Sequence, residues 1–110
     1  MKERPEKLSG HTHRLKTGCG NLYVTVNVDN GKVHEVFVRL GKAGGCASSQ
    51  TESLGRLITL AVRAGVSIEE VCKQLQGIGC QQPVFAGEGR KNLSCADAVA
   101  NALRGYKEAE

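Results

Sequence analysis

The stretch LYVTVNVDNG, residues 22–31, alternates apolar and polar side chains and then ends in a turn sequence. In an extended chain its four apolar side chains point to one face and its polar side chains to the other, which is typical of a half-buried strand. Asn30 and Gly31 can adopt the positive φ angles of a tight type I′ turn. The sequence therefore predicts a β-hairpin with a return strand from Lys32 to about Leu40. Residues 14–17 are candidates for a short leading strand.

A helix is predicted after the hairpin, over residues 49–64. Ser49 with Glu52 fits a capping box at its start, and Gly65 fits the stop at its end. Apolar residues recur at helical spacing and form one stripe that should face the core. The stripe consists of Leu54, Leu57, Ile58, Ala61 and Val62.

Two further helices are predicted by their capping residues. One begins after Ser67, which is followed by Glu70, and stops near Gly77. The other begins after Ser94, with Asp97 at its third position. Its buried face should consist of Val99, Ala102, Leu103 and Tyr106. The stretch between these helices, residues 77–92, is rich in glycine and is predicted as a loop.

Strands followed by helices predict an α+β fold. We expect a small antiparallel sheet, made of the hairpin and the possible third strand at 14–17, covered on one face by three helices. The chain has 110 residues, which suits one domain. We expect residues 1–13 to be a flexible N-terminal arm, with His11 and His13 in solvent, and residues 14–107 to be the domain.

Composition narrows the range of functions. No apolar run approaches the length of a membrane span, and the charged start, MKERP, does not resemble a signal peptide, so a cytoplasmic protein is expected. The net charge is +4, and the basic residues are scattered without interleaved aromatics. This pattern does not favour nucleic-acid binding. An exposed strand at the edge of a small sheet would be compatible with a homodimer.

The chain has five cysteines, and four of them lie at predicted element boundaries: Cys19, Cys46, Cys80 and Cys95. Cytosolic thiols stay reduced, which favours metal binding or redox chemistry over structural disulfides. Four thiolates suit zinc or an iron–sulfur cluster. The four residues are far apart in sequence and lack a C-x-x-C pair, so the alternative is a mixture of buried and free thiols.

Two cysteines carry additional expectations. Cys95 opens a helix, where free N–H groups and the helix dipole favour a thiolate suited to metal ligation or redox attack. The alternative is a half-buried residue of the first turn. Cys72 lies on the apolar side of the second helix and is interpreted as a small buried hydrophobe.

Several blocks of this sequence resemble the TSCPD domain, which is found at the C-terminal end of adenosylcobalamin-dependent, class II ribonucleotide reductases. The blocks are GCGNLYVTV at 18–26, EVFVRLGKAGGC at 35–46, QTESLGRL at 50–57 and QLQGIGC at 74–80. Residues 4–12 resemble the segment that leads into the domain. The naming motif Thr-Ser-Cys-Pro-Asp is altered to LSCAD at 93–97, which keeps Ser94, Cys95 and Asp97.

The resemblance implies an association with ribonucleotide reduction and a metal-binding role. Combined with the cysteine pattern, it gives the leading hypothesis: a stand-alone TSCPD domain that holds zinc or an iron–sulfur cluster through Cys19, Cys46, Cys80 and Cys95. It implies a reductase, or its reductant, as partner. The chain is too small to reduce ribonucleotides alone. One alternative is a thiol redox relay in which Cys95 attacks. Another is a nucleotide-binding regulatory domain that uses Arg39, Lys42 and Arg56 against phosphates.

Overall fold

The computed structural model describes residues 3–41, 45–80, 83–87 and 90–106. Within these ranges the chain forms two antiparallel sheets and three helices. In chain order the elements are β1 (Ser9–Thr17), β2 (Gly20–Asp29), β3 (Lys32–Leu40), α1 (Gly45–Arg63), α2 (Ile68–Leu75), β4 (Val84–Gly87), β5 (Arg90–Asn92) and α3 (Cys95–Leu103). The predicted α+β class is confirmed.

The first sheet has the order β1-β2-β3, and its central strand carries the alternating stretch. Asn30 and Gly31 have φ angles of 53° and 79°, so the predicted turn is confirmed. The apolar side chains of β2 pair across the sheet with those of β3, as in Val24 with Val38. These pairs lie on the buried face that the helices cover, while Phe37 and Arg39 on the opposite face are exposed.

β1 begins at Ser9, five residues before the predicted leading strand. Residues 9–13, which we expected in a flexible arm, pair with β2 in a continuous antiparallel register. The side chains at 9–12 are exposed, so the sequence there lacks the apolar alternation that marks a strand. Backbone pairing with β2 extends the sheet over this segment.

α1 begins at Gly45, four residues before its predicted start, and the predicted capping box is wrong. Ser49 lies inside the helix and donates its hydroxyl to the carbonyl of Gly45 over 3.2 Å. Ile58 and Val62 are buried as predicted, but Leu57 is 64% exposed. The reason is that α1 packs on the edge of β3 through Gly55 and Thr59. These two residues lie on a different face of the helix from Leu57, and the apolar stripe did not indicate that face.

The hydroxyl of Thr59 protects this edge of the sheet. It accepts the backbone N–H of Val36 over 2.9 Å and donates to the carbonyl of Val36, also over 2.9 Å. A side chain thus takes the place of a further strand at β3, which keeps these two backbone groups from pairing with another chain.

The other two helices begin as predicted. The hydroxyl of Ser67 accepts the N–H of Glu70 over 3.0 Å, and the hydroxyl of Ser94 accepts the N–H of Asp97 over 3.1 Å. Val99 and Leu103 in α3 are fully buried against the sheet. No helix in the described ranges is long and apolar enough to cross a membrane.

The prediction of a loop over residues 77–92 is wrong in part, because β4 and β5 form a short antiparallel hairpin there. Val84 pairs with Asn92, and Phe85 pairs with Lys91. These strands are only four and three residues long and lie among glycines, so no apolar alternation was visible. Residues 81–82 and 88–89 lie outside the described residues.

The segment before β1 is anchored by an ion pair. The guanidinium of Arg4 contacts both carboxylate oxygens of Glu35, over 2.8 and 3.0 Å, and the amide of Asn27 donates to the same carboxylate over 2.7 Å. Glu35 is 4% exposed. The hydrogen bond from Arg4 is the main reason that the pKa of Glu35 is lowered from its ordinary value, against the opposing effect of burial.

We expect this carboxylate to make stability fall with acid. A depressed pKa in the folded state contributes stability above the ordinary value of about 4.5, and the contribution is lost as the pH falls through the folded value. Wild type should therefore be more stable than Glu35→Gln at pH 7, and the two should converge as the pH drops below about 4.5 in urea unfolding. Glu52→Gln, which alters an exposed pair on α1, should change little at either pH. A constant gap between wild type and Glu35→Gln across this range would contradict the assignment.

Candidate thiol site

The turn between β1 and β2 positions one of the four boundary cysteines. Thr17 is buried, and its hydroxyl donates to the carbonyl of Gly20 over 2.8 Å and accepts the N–H of Cys19 over 3.2 Å. Gly20 has a φ of 113°, a conformation that favours glycine and tightens this turn. Cys19 is thereby held at the end of the sheet with its side chain exposed.

The start of α3 places a second cysteine at the same turn. The sulfur of Cys95 lies 3.8 Å from the hydroxyl oxygen of Thr17, at the distance of a weak hydrogen bond. Cys95 is half-buried and interacts with the thiol of Cys19 as well as with Thr17. The two residues are far apart in sequence, and Thr17 is the side chain that both of them contact.

Cys80 reaches the site through the segment that follows α2. Its N–H donates to the carbonyl of Leu93 over 2.9 Å, and the hydroxyl of Ser94 donates to the carbonyl of Ile78 over 2.6 Å. These two bonds hold residues 78–80 against the start of α3. Cys80 thereby lies close enough to Cys95 to act on the charge of its thiol.

Asp97 locks the same two segments together. One carboxylate oxygen accepts the N–H of Gly77 over 2.8 Å, and the other accepts the N–H of Leu93 over 3.0 Å. Asp97 is 5% exposed, so these contacts satisfy a charge that is nearly removed from water. The sequence identified Asp97 only as a capping residue, and its wider role depends on contacts that no local pattern reveals.

The expected preference of Cys95 for the thiolate is not found. Burial raises the pKa of Cys95, a hydrogen bond with Thr17 opposes this, and Cys19 and Cys80 raise the pKa further. Loss of solvent and the neighbouring sulfurs both disfavour a negative charge on this thiol. A positively charged partner would oppose this shift.

Cys46 lies in the first turn of α1 and is exposed. α1 runs antiparallel to β3, since Thr59 contacts Val36 and Gly55 approaches Val38. The start of α1 therefore lies beyond Leu40, at the end of the sheet that carries Cys19. Cys46 is not among the groups that act on the thiol of Cys95.

The structure thus brings together Cys19, Cys80 and Cys95, and it places Cys46 at the same end of the sheet. No group of three or more His, Cys, Asp or Glu side chains among the residues it describes is arranged to hold a metal ion as it stands. The site with four cysteine ligands stays a prediction. Cys72 is separate: it is buried in α2, as predicted, with its sulfur 3.7 Å from the carbonyl of Ala100.

The remaining candidates lie elsewhere. His11 is exposed on β1, whereas His13 is half-buried, and its Nε2 lies 2.7 Å from the hydroxyl of Tyr106, so the expectation of a solvated His13 is wrong. Arg39 and Arg56 line one groove together with the carboxylates Glu35 and Glu52.

The charges of these two arginines are partly taken up by other groups. Arg56 pairs with Glu52 over 2.8 Å, and Arg39 stacks 5.5 Å from the ring centre of Tyr23. Lys42, the third residue of that predicted phosphate site, lies outside the described residues.

Comparison with known proteins agrees with the resemblance seen in the sequence. The family model of the TSCPD domain matches residues 1–107, which is nearly the whole chain and includes the segment before β1. No curated protein and no solved structure gives a significant match. The chain therefore belongs to the TSCPD family, whose domain is found in class II ribonucleotide reductases.

Proposed function

We propose that this domain serves ribonucleotide reduction as a metal-holding accessory, with Cys19, Cys46, Cys80 and Cys95 as ligands of zinc or an iron–sulfur cluster. Membership of the TSCPD family supports the association with a reductase. The observation that carries the metal proposal is that Cys19 and Cys80, from two other parts of the chain, both act on the thiol of Cys95 at the turn that holds Thr17.

The surroundings of the Cys95 thiol support the binding of a cation at this site. Its raised pKa reflects burial and the neighbouring thiols, both of which make a second or third negative charge costly. A bound cation would reverse this effect, because a coordinated thiol is deprotonated and its charge is shared with the metal. The protein's part is to hold the sulfurs close together, through Thr17 and Asp97, at an end of the sheet that is open to solvent.

Cys46 is the residue best placed to complete the set. Zinc in structural sites takes four ligands, and three converging thiols leave one position to fill. Cys46 is exposed at the same end of the sheet, beside Gly45, whose φ is 85°. No other unassigned cysteine is available, because Cys72 is buried in the core.

A thiol redox relay is less well supported by the same geometry. The attacking sulfur in thiol–disulfide exchange is a thiolate, so its pKa should be near or below the ambient pH. Burial and the neighbouring thiols move the pKa of Cys95 in the other direction. A relay that begins with attack by Cys95 would therefore have little reactive thiolate at neutral pH.

We expect protein purified under reducing conditions without oxygen to contain a stoichiometric amount of one metal. Cys95→Ser should lose most of it, because serine is a poor ligand for zinc or iron and the half-buried position offers no replacement. Cys72→Ala removes a thiol outside the site and should retain the metal. Elemental analysis of the three proteins, with thermal unfolding to confirm folding, makes the comparison.

Two outcomes would contradict the proposal. One is a folded wild-type protein without metal that forms a disulfide reversibly on oxidation, which would support the relay. The other is equal metal loss in Cys95→Ser and Cys72→Ala, which would show that the metal responds to stability and not to these ligands.

A further inference from the structure

A groove of about 730 Å³ lies between β1 and the C-terminal half of α3. Its charged side chains are all basic: Arg14 from β1, Lys91 from β5 and Arg104 just after α3. Leu15 and Ala102 add apolar surface. No carboxylate belongs to the described lining, whereas the groove that holds Arg39 and Arg56 has two.

The three basic side chains are not neutralised by the described part of the chain. The ion pairs found there involve Arg4, Arg56 and Lys73. Arg104 instead contacts the neutral side-chain oxygens of Asn101 and Gln76, and Lys91 lies 5.5 Å from the ring centre of Phe85. Three cations for which the described residues supply no anionic partner, together in one concave surface, attract a multiply charged anion.

Arg104 is also held in position from the core. Asn92 is 1% exposed, and its amide nitrogen donates to the carbonyl of Lys16 over 2.7 Å. Its oxygen accepts the amide of Asn101 over 2.8 Å, which leaves the oxygen of Asn101 directed at Arg104. This chain of hydrogen bonds from a buried residue limits the conformational freedom that Arg104 would lose on binding an anion.

We propose that this groove binds a nucleoside di- or triphosphate, with Arg14, Lys91 and Arg104 contacting the phosphates. The volume is within the range of small-molecule sites, about 300–1,000 Å³, and larger than a single phosphate requires. Arginine presents a planar fork of donors that matches phosphate oxygens. Leu15 and Ala102 provide the apolar contact that the nucleoside part needs. The proposal is independent of the metal, since no cysteine lines the groove.

The test is binding of ATP, ADP, AMP and adenosine to the purified protein at low salt, measured by calorimetry. Affinity should rise with the number of phosphates and fall as salt is added, because exposed charges are screened. Arg104→Ala and Lys91→Ala should each weaken ATP binding by about tenfold or more, as expected for charge-assisted hydrogen bonds. Lys73→Ala, which removes an exposed cation outside the groove, should leave it unchanged.

Gly105→Leu provides a variant that keeps every charge. A Cβ added at Gly105 meets nothing within 4 Å, so a leucine there should be tolerated and extend into the open groove that this residue lines. We expect it to weaken ATP binding while the thermal midpoint stays near that of wild type.

Three results would overturn the proposal. The first is absence of saturable ATP binding at low salt. The second is a Lys73→Ala effect equal to that of Arg104→Ala, which would indicate general attraction to a basic protein. The third is binding of inorganic triphosphate or single-stranded oligonucleotide as tight as that of ATP, because a nucleotide site must use both the phosphates and the nucleoside.

Discussion

Asp97→Ala should lower the free energy of unfolding by about 4 kcal/mol, because it removes a buried carboxylate that accepts two backbone N–H groups. The N–H groups of Gly77 and Leu93 would lose a partner that is itself only 5% exposed. A domain of this size has a total stability of about 5–15 kcal/mol, so a loss of this size is a large fraction of the total. Urea unfolding at pH 7 measures the loss.

Asp97→Asn is the matched control. It keeps the shape of the side chain and one carbonyl oxygen, so it should retain one of the two contacts and lose about half as much stability. Because the same contacts hold residues 77–80 against α3, Asp97→Ala should also disturb the position of Cys80. A loss below about 1 kcal/mol in Asp97→Ala would contradict the account, since water would then be satisfying both N–H groups.

Gly55→Val should destabilise the protein by about 3 kcal/mol through overpacking between α1 and β3. A Cβ at this position would lie 2.9 Å from the backbone nitrogen of Val38 and 3.2 Å from the carbonyl oxygen of Val36. Both obstacles are backbone atoms of a paired strand, so the helix itself must move away. That movement would lengthen the hydrogen bonds between Thr59 and Val36.

Gly55→Ala tests whether a single added Cβ at this position stabilises or destabilises the protein. In an exposed helix this change stabilises by about 1 kcal/mol, whereas here it should destabilise. Gly105→Val is the control, since a Cβ there meets nothing within 4 Å. A Gly55→Ala variant more stable than wild type in urea unfolding would show that α1 does not approach β3 as closely as described.

Part of the fold could be predicted because its signals are local. The stretch 22–31 combines strand alternation with a turn sequence, and each signal lies within a few residues. The same is true of the serines that cap α2 and α3. Short-range patterns of this kind depend little on the rest of the molecule.

Other parts could not be predicted because they depend on tertiary partners. Residues 9–13 are polar and become a strand only by pairing with β2. Leu57 fits the apolar stripe of α1, yet the helix turns a different face to the sheet because Gly55 allows contact with the backbone of β3. The strands β4 and β5 are too short to show an alternation of apolar and polar residues.

The candidate site also combines features with a local sequence signal and features that depend on tertiary contacts. Cysteines at element boundaries could be identified one by one, but the buried hydroxyl of Thr17, which Cys19 and Cys95 both contact, gave no signal in the sequence. The direction of the pKa shift at Cys95 could not be predicted either. It depends on burial and on the approach of Cys19 and Cys80, which come from other parts of the chain.

X-ray absorption at the edge of the copurifying metal would test the proposed set of ligands most directly. We expect a first shell made of sulfur alone, with four sulfurs at about 2.3 Å if the metal is zinc. Cys46→Ser should replace one of these sulfurs with a lighter atom, and Cys72→Ala should leave the shell unchanged. A shell without sulfur, or one that Cys46→Ser and Cys95→Ser both leave intact, would contradict the account.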